Sequence, residues 1–192
     1  DIDFDHLKSN FWFSENELGL SRLEIVSPYI NSSLAGNVDL KGGIDLSFDP
    51  SYVDLNWLGN RLGVDLEGEG IINGELTGSI TDPLFTGGVE LVDGSIYDQK
   101  FDKITGEIKV DKSKLNLSDT SLVRKDSKFN LAGEVSFIEQ TLDLKVEVDK
   151  TSISSIRNLQ DLIQIPQGFA GDIRGNVTLS GPWLKPRVEG EL

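Results

Sequence analysis

Strict alternation of apolar and polar residues is the feature that most limits the folds open to this chain. From Leu62 to Ile80 the even positions are apolar or glycine, whereas the odd positions are almost all polar. The alternation returns on odd positions between Gly171 and Trp183. Because successive side chains of a β-strand point to opposite faces, the pattern predicts strands with one dry and one wet face. Such strands are typical of antiparallel sheets.

The same period of two occurs elsewhere, and turn-forming residues separate the stretches. Further predicted strands cover residues 34–48, 104–110, 115–117, 129–137 and 142–148. The turn signals are Lys41-Gly42-Gly43, Asp82-Pro83, Asp93-Gly94, Asp111-Lys112-Ser113 and Lys125-Asp126-Ser127. We therefore expect a mostly β fold, an antiparallel sheet with one apolar face. Period two does not distinguish a single open sheet from two sheets pressed together as a sandwich.

Two segments break the period and favour short helices. Residues 152–163 place Ile153, Ile156, Leu159, Leu162 and Ile163 on one helical stripe that Pro166 terminates. Residues 51–62 form a weaker candidate that carries Val53, Trp57, Leu58 and Leu62 and contains a glycine. A short amphipathic helix of this kind can cover part of an apolar sheet face or cap its end.

Two motifs recur about one hundred residues apart. Gly78-x4-Pro83-x3-Gly87 returns as Gly181-x4-Pro186-x3-Gly190, and Asp45-Leu46 returns as Asp143-Leu144. Self-similarity at this spacing indicates stacked units that bury a continuous face between neighbours. We interpret residues 1–192 as a single segment of a larger repeat sheet, with copies at approximately 45–91 and 143–192. The second copy is truncated, so a further strand is expected after Gly190, and self-association through the last strand is a possible consequence.

The glycines that lie in phase with the apolar positions have two interpretations. Gly68, Gly70, Gly74 and Gly78 mark either curvature of the sheet or clearance for a molecule bound along it. The two interpretations are compatible, because a strongly curved sheet forms a trough.

Composition argues against several functional classes. The formal net charge is −14, which disfavours binding to nucleic acid or to anionic lipid surfaces. The chain has no cysteine, so it holds no thiol nucleophile and no cysteine metal site, and with His6 as its single histidine it holds no two-histidine metal site. Most carboxylates fall on the wet face of the predicted strands. We expect no enzyme activity, no catalytic residues, no cofactor and no metal.

At residues 74–110 and 175–192 the chain resembles the TamB/AsmA-like family of envelope proteins. The resemblance rests on "GELTGSITDPLFTGGVELVDGSIYDQKFDKITGEIKV" and "GNVTLSGPWLKPRVEGEL", and on "SLVRKDSKFNLAGEVSF" between them. It implies an elongated, strongly curved antiparallel sheet, a taco-shaped or half-pipe trough with an apolar interior. It also implies a periplasmic location, with the parent protein anchored in the inner membrane of a diderm bacterium.

The resemblance further implies a function in phospholipid passage toward the outer membrane. Acyl chains would lie in the trough, and a TamA-type outer-membrane barrel protein would be a partner of other parts of the parent protein. We expect the following residues to line the groove: Leu66, Ile72, Leu76, Ile80, Val89, Leu91, Ile96, Ile104, Ile108, Val110, Leu115, Leu117, Phe129, Leu131, Val135, Phe137, Leu142, Leu144, Val146, Ile173, Val177, Leu179 and Trp183.

Two alternatives stay open at this stage. The chain could act as a chaperone-like scaffold whose strand edges template the strands of outer-membrane barrel proteins by β-augmentation. It could also be a β-helix-like enzyme acting on polysaccharide, which would require carboxylates that face a groove rather than solvent. The outward phase of the acidic residues argues against the second alternative.

Overall fold

The chain folds into one open antiparallel sheet whose strands follow their order in the sequence. The computed structural model describes residues 5–152, 172–183 and 185–191. Strands make up 78% of it, which confirms the prediction of a mostly β, antiparallel fold in the form of a curved trough. The strands are β1 (His6–Phe13), β2 (Glu17–Val26), β3 (Ile30–Asp39), β4 (Gly43–Asp54), β5 (Leu66–Ser79), β6 (Asp82–Ile96), β7 (Gln99–Val110), β8 (Lys114–Arg124), β9 (Ser127–Ser136), β10 (Thr141–Ser152), β11 (Asp172–Pro182) and β12 (Arg187–Glu191).

Each strand pairs with the strands before and after it, and the sheet does not close into a barrel. Within the described ranges, β1 and β12 are paired on one side only. In this part of the chain the outer edges of β1 and β12 therefore carry backbone groups without a strand partner.

β-Bulges interrupt several of the long strand pairs. The register shifts between Leu20 and Leu23 in β2, between Phe48 and Ser51 in β4, and between Leu117 and Thr120 in β8. A bulge inserts an extra residue, so the apolar phase moves from odd to even positions or the reverse. It also bends the strand and increases its twist. The bulges thus account for strands that curl while one apolar face is maintained.

One short helix, α1 (Leu55–Leu62), occurs in the described part of the chain. It begins where the Asp54 carboxylate accepts a hydrogen bond from the backbone N–H of Trp57 at 3.0 Å, and it ends at Gly63, which has a φ of 69°. The helix predicted from residue 51 starts too early, because residues 51–54 continue β4 and pair with β5. The second predicted helix, 152–163, lies almost wholly outside the described residues.

One predicted turn is wrong and another is displaced. Asp93 and Gly94 lie inside β6, next to a bulge in its pairing with β5. The chain reverses instead at Tyr97 and Asp98, whose φ values of 45° and 62° are those that a two-residue type I′ hairpin requires. Asp82-Pro83 opens β6, and the turn precedes it. The other three turn signals fall at strand connections, as predicted, with Gly43 and Ser127 as the first residues of β4 and β9.

Candidate functional site

Apolar side chains form continuous rows that run across the sheet, perpendicular to the strands. Residues that face each other on neighbouring strands share a face, so the pairing register defines each row. Row A contains Phe11, Leu20, Gly36, Leu46, Leu76, Phe85, Val110, Leu115, Val135, Leu142 and Gly181. It extends from β1 to β11 without a charged residue.

Three more rows run parallel to row A on this apolar face. Row B contains Ser9, Leu23, Leu34, Phe48, Gly74, Gly87, Ile108, Leu117, Gly133, Leu144, Leu179 and Val188. Row C contains Leu7, Ile25, Ser32, Ser51, Ile72, Val89, Gly106, Thr120, Leu131, Val146, Val177 and Gly190. Row D contains Ile30, Val53, Gly70, Leu91, Ile104, Leu122, Phe129, Val148 and Gly175.

Three of the four hydroxyls in these rows bond to local groups, whereas the buried hydroxyl of Ser9 in row B has no hydrogen-bond partner among the described residues. Ser32 and Ser51 share a hydrogen bond of 2.8 Å, and the Ser51 hydroxyl also donates to the backbone oxygen of Asp49. The Thr120 hydroxyl donates to the backbone oxygen of Ser118 at 3.1 Å. Buried polar groups that are satisfied in this way carry little cost.

Helix α1 covers one end of the apolar face. Leu55 is 1% exposed and packs with Val53, Phe101 and Ile104 in the one cluster of buried apolar side chains found in the described chain. Leu58 and Leu66 pack against the edge of this cluster. The helix lies against β4 and β5, so this end of the face, near row D, is a true hydrophobic core.

Beyond the helix the apolar face has no second layer among the described residues. Most members of rows A, B and C are half-buried, whereas the inner residues of a β-sandwich would be fully buried against a facing sheet. At about 4.8 Å per strand, a row that crosses twelve strands is about 50 Å long. The result is a long, open apolar surface on a curved sheet.

The phenyl rings of Phe48 and Phe85 fill the space above a glycine pair in the middle of this surface. They project from β4 and β6, on either side of Gly74, and meet edge to face with their centroids 6.3 Å apart. A Cβ on Gly74 would lie 2.7 Å from the Cα of the facing Gly87. Close backbone approach therefore explains this glycine, which agrees with curvature of the sheet.

Of the residues predicted to line the groove, most lie on this face. Seventeen belong to the four rows, and Leu66 and Ile96 pack at the helix-covered end. Ile80 and Phe137 lie instead in hairpin turns, 63% and 36% exposed, and Trp183 directly follows β11. Ile173 lies in β11 opposite Thr151.

The first two strands of the face were not predicted from the sequence. Leu7 and Phe11 of β1 and Leu20 of β2 extend the rows beyond the predicted strands, and Phe13 pairs with Leu18 beside row A. In β1 most apolar residues fall on odd positions, and this alternation is a signal from which the strand could have been predicted. In β2 the alternation changes phase at its bulge, which hides the pattern.

The opposite face is polar and acidic. Ion pairs join neighbouring strands there, Lys103 to Glu90 at 2.6 Å and Lys114 to Glu134 at 2.7 Å. The hydrogen bond from Lys114 to Glu134 raises the pKa of the lysine, and hydrogen bonds from Ser113 lower the pKa of Asp111 in the β7–β8 turn. Exposed pairs of this kind contribute little stability.

No cluster of metal-ligating residues occurs among the described residues. Asp45, Glu67, Glu69 and Asp143 are exposed on the polar face. Burial, together with Glu69 and Asp54, raises the pKa of Tyr52, which stabilises the neutral phenol rather than a base.

Comparison with known protein families, with curated proteins and with solved structures gave no match to this chain. In the described residues, no helix combines the length and the apolar character needed to cross a membrane.

Proposed function

We propose that the chain is a segment of a TamB/AsmA-like envelope protein whose apolar trough carries phospholipid acyl chains between the inner and outer membranes. The observation that supports the proposal is a single apolar face that crosses the sheet in continuous rows and that, within the described part of the chain, has no second layer over most of its length. Acyl chains are the ligands that such a surface fits, since they are apolar, long and flexible.

The energetics of binding follow from the exposure of rows A, B and C. Each methylene group transferred from water to an apolar surface contributes about 0.8 kcal/mol. The half-buried side chains of these rows leave area available to an acyl chain, and each residue that the chain covers loses contact with water as well. Headgroups would stay in water along the open side of the trough.

The rows also provide a path without a polar barrier. Between β7 and β11, row A presents Val110, Leu115, Val135 and Leu142, and row B runs beside it through Ile108, Leu117, Leu144 and Leu179. An acyl chain displaced by one strand meets the same kind of surface, which favours sliding over tight binding. A phospholipid could then move along the sheet without crossing an exposed charge.

Mass spectrometry of phospholipid that copurifies with the protein tests the proposal. A charge on the floor of the trough, Ile108→Arg or Val135→Glu, is expected to abolish lipid loading while the strand signature in circular dichroism is retained. Both side chains are half-buried on the open face, so each substitution leaves the covered core intact.

The matched control is Thr86→Arg, which adds the same charge as Ile108→Arg to the polar face. Thr86 is exposed and precedes Gly87, the residue that faces Ile108. The control should load lipid like the unmodified protein. Purified protein without lipid, or equal loading in all three variants, would refute the proposal.

A further inference from the structure

The twelve strands divide into two halves of six with the same pairing register. In the first half Asp45 faces Thr77 and Leu46 faces Leu76. In the second half Asp143 faces Ser180 and Leu144 faces Leu179. Strands β4 and β5 thus correspond to β10 and β11, residue by residue.

The correspondence extends to the other strands of each half. Leu20 faces Gly36 as Leu117 faces Gly133, and each pair adjoins a bulge, at Leu20–Leu23 and at Leu117–Thr120. Phe11 faces Leu20 as Ile108 faces Leu117. Strands β1, β2 and β3 therefore correspond to β7, β8 and β9.

The two equivalent glycines share the same backbone contact. Gly36 and Gly133 have φ values of 137° and 140°, and a Cβ on either would lie 2.1 Å from the backbone oxygen of an aspartate on the next strand, Asp45 or Asp143. The two halves therefore correspond in backbone structure as well as in amino-acid sequence.

The outer strands complete the correspondence. Leu76 faces Phe85 as Leu179 faces Val188, and Gly74 faces Gly87 as Val177 faces Gly190, so β12 corresponds to β6. The outer edge of β6 pairs with β7. The corresponding partner of β12 would be a strand like β1, which is itself the counterpart of β7.

We propose that the β12 edge of one copy of this chain pairs with the β1 edge of a second copy, in the register that joins β6 to β7. Phe85 faces Val110 and Gly87 faces Ile108, so Val188 of one copy would face Phe13 of the other, and Gly190 would face Phe11. The contact continues the apolar face from one copy to the next, and it does not depend on lipid.

Exposed aromatic residues on β1 support this choice of partner. Phe11 and Phe13 are 62% and 63% exposed, and their rings pack edge to face 5.8 Å apart. Pairing would place Phe11 against Gly190, whose missing side chain leaves room for the ring.

The expected assembly is weak and open-ended. The edges that meet are different surfaces, so the contact is head to tail and does not close on a dimer. The overlap spans the five residues of β12, Arg187–Glu191, and interfaces below about 1,200 Å² are typical of transient complexes.

Disulfide trapping tests the register, because the chain contains no native cysteine. Variants Glu189→Cys and Trp12→Cys of the 192-residue chain are mixed and oxidised. These positions correspond to Thr86 and Lys109, which face each other on the polar side of β6 and β7. A disulfide between the two variants is expected, and it should be lost when Lys8→Cys replaces Trp12→Cys, because Lys8 is four residues out of register.

An excess of disulfides between two copies of the same variant, Glu189→Cys with itself or Trp12→Cys with itself, would overturn the proposal. Such disulfides would mean that the contact joins like edges, as in an isologous dimer. Equal yields from the in-register and displaced mixtures, or no disulfide at any protein concentration, would overturn it as well. If no disulfide forms, we would expect the β1 edge to pair with a strand of another protein.

Sedimentation velocity supplies the second measurement. The unmodified chain is expected to form species that grow with concentration, and the double variant Phe11→Lys, Phe13→Lys should lose them, since charges on an edge strand oppose pairing. Leu7→Lys is the matched control. Leu7 is 58% exposed on the same strand and face but lies beyond the overlap with β12, so association should persist. Association that survives the double variant, or is lost in the control, would contradict the proposed contact.

Discussion

The helix-covered end of the sheet and the open run of the same face are built from similar strands but behave as different kinds of surface. At the covered end Val53, Leu55, Phe101 and Ile104 are buried in a core. Across rows A, B and C most apolar side chains are half-buried. Alternating strands alone therefore do not define a core, because a second layer is needed to exclude water. One eight-residue helix supplies this layer at one end, and most side chains of rows A, B and C have no such cover among the described residues.

The largest expected difference between the two regions is in side-chain truncation. Leu55→Ala removes a fully buried side chain and leaves a cavity, so the free energy of unfolding should fall by about 2–5 kcal/mol. Leu115→Ala, on row A of the open face, should cost only about 1 kcal/mol, because the leucine is half-buried. Denaturant unfolding of both variants measures the difference. Equal losses would mean that the open face is packed as tightly as the core.

Stability in the open region resides in backbone geometry more than in side chains. Gly133→Ala would place a Cβ 2.1 Å from the backbone oxygen of Asp143 at a φ of 140°, and backbone strain of this kind costs about 1–3 kcal/mol. Its effect on unfolding should therefore exceed that of Leu115→Ala. Gly36→Ala should match it, because the two sites are equivalent.

Gly42→Ala serves as the control for this second comparison. Gly42 has a φ of 106°, but a Cβ added to it would have no atom within 4 Å, so only the conformational part of the penalty applies. If Gly133→Ala proved no worse than Gly42→Ala, the close approach of the strands would not limit the curvature of the sheet.

The smallest expected effect concerns pH and the turn that leads into row A. Hydrogen bonds from Ser113 hold the pKa of Asp111 below its ordinary value, so the ionised carboxylate stabilises the folded state. That contribution is present above the unfolded-state pKa and is lost as the pH falls through the lower folded-state pKa. Asp111→Ala should reduce stability at pH 7, and the difference from the unmodified protein should shrink in acid. A difference that is independent of pH would exclude the charge as its source.

Much of the open face could be predicted from the sequence, because its strands keep one phase over long stretches. In β5 and β9 the apolar residues stay on even and odd positions respectively, and row members such as Ile72 and Val135 follow directly. The alternation carries no information about what covers the face, so the choice between trough and sandwich required the structure.

The sequence-based predictions fail where the apolar–polar alternation changes phase, and where a turn or helix pattern competes with strand pairing. The bulge between Leu20 and Leu23 conceals β2. Asp93-Gly94 has the composition of a hairpin turn but lies at a bulge, where Asp93 adopts a φ of 49°. The helix prediction began at Ser51 because the apolar spacing fits a helix, whereas pairing with β5 keeps residues 51–54 in the sheet.

Site-specific photocrosslinking tests the central claim, that the open apolar face holds acyl chains. A photoreactive residue is placed at Ile108 on row B, or at its neighbour Lys109 on the polar face, and the protein is irradiated with phosphatidylethanolamine vesicles. Ile108 is half-buried on the trough floor, and Lys109 is exposed. We expect a lipid adduct at position 108 and none at position 109. Equal labelling at both positions, or labelling at 109 alone, would contradict it.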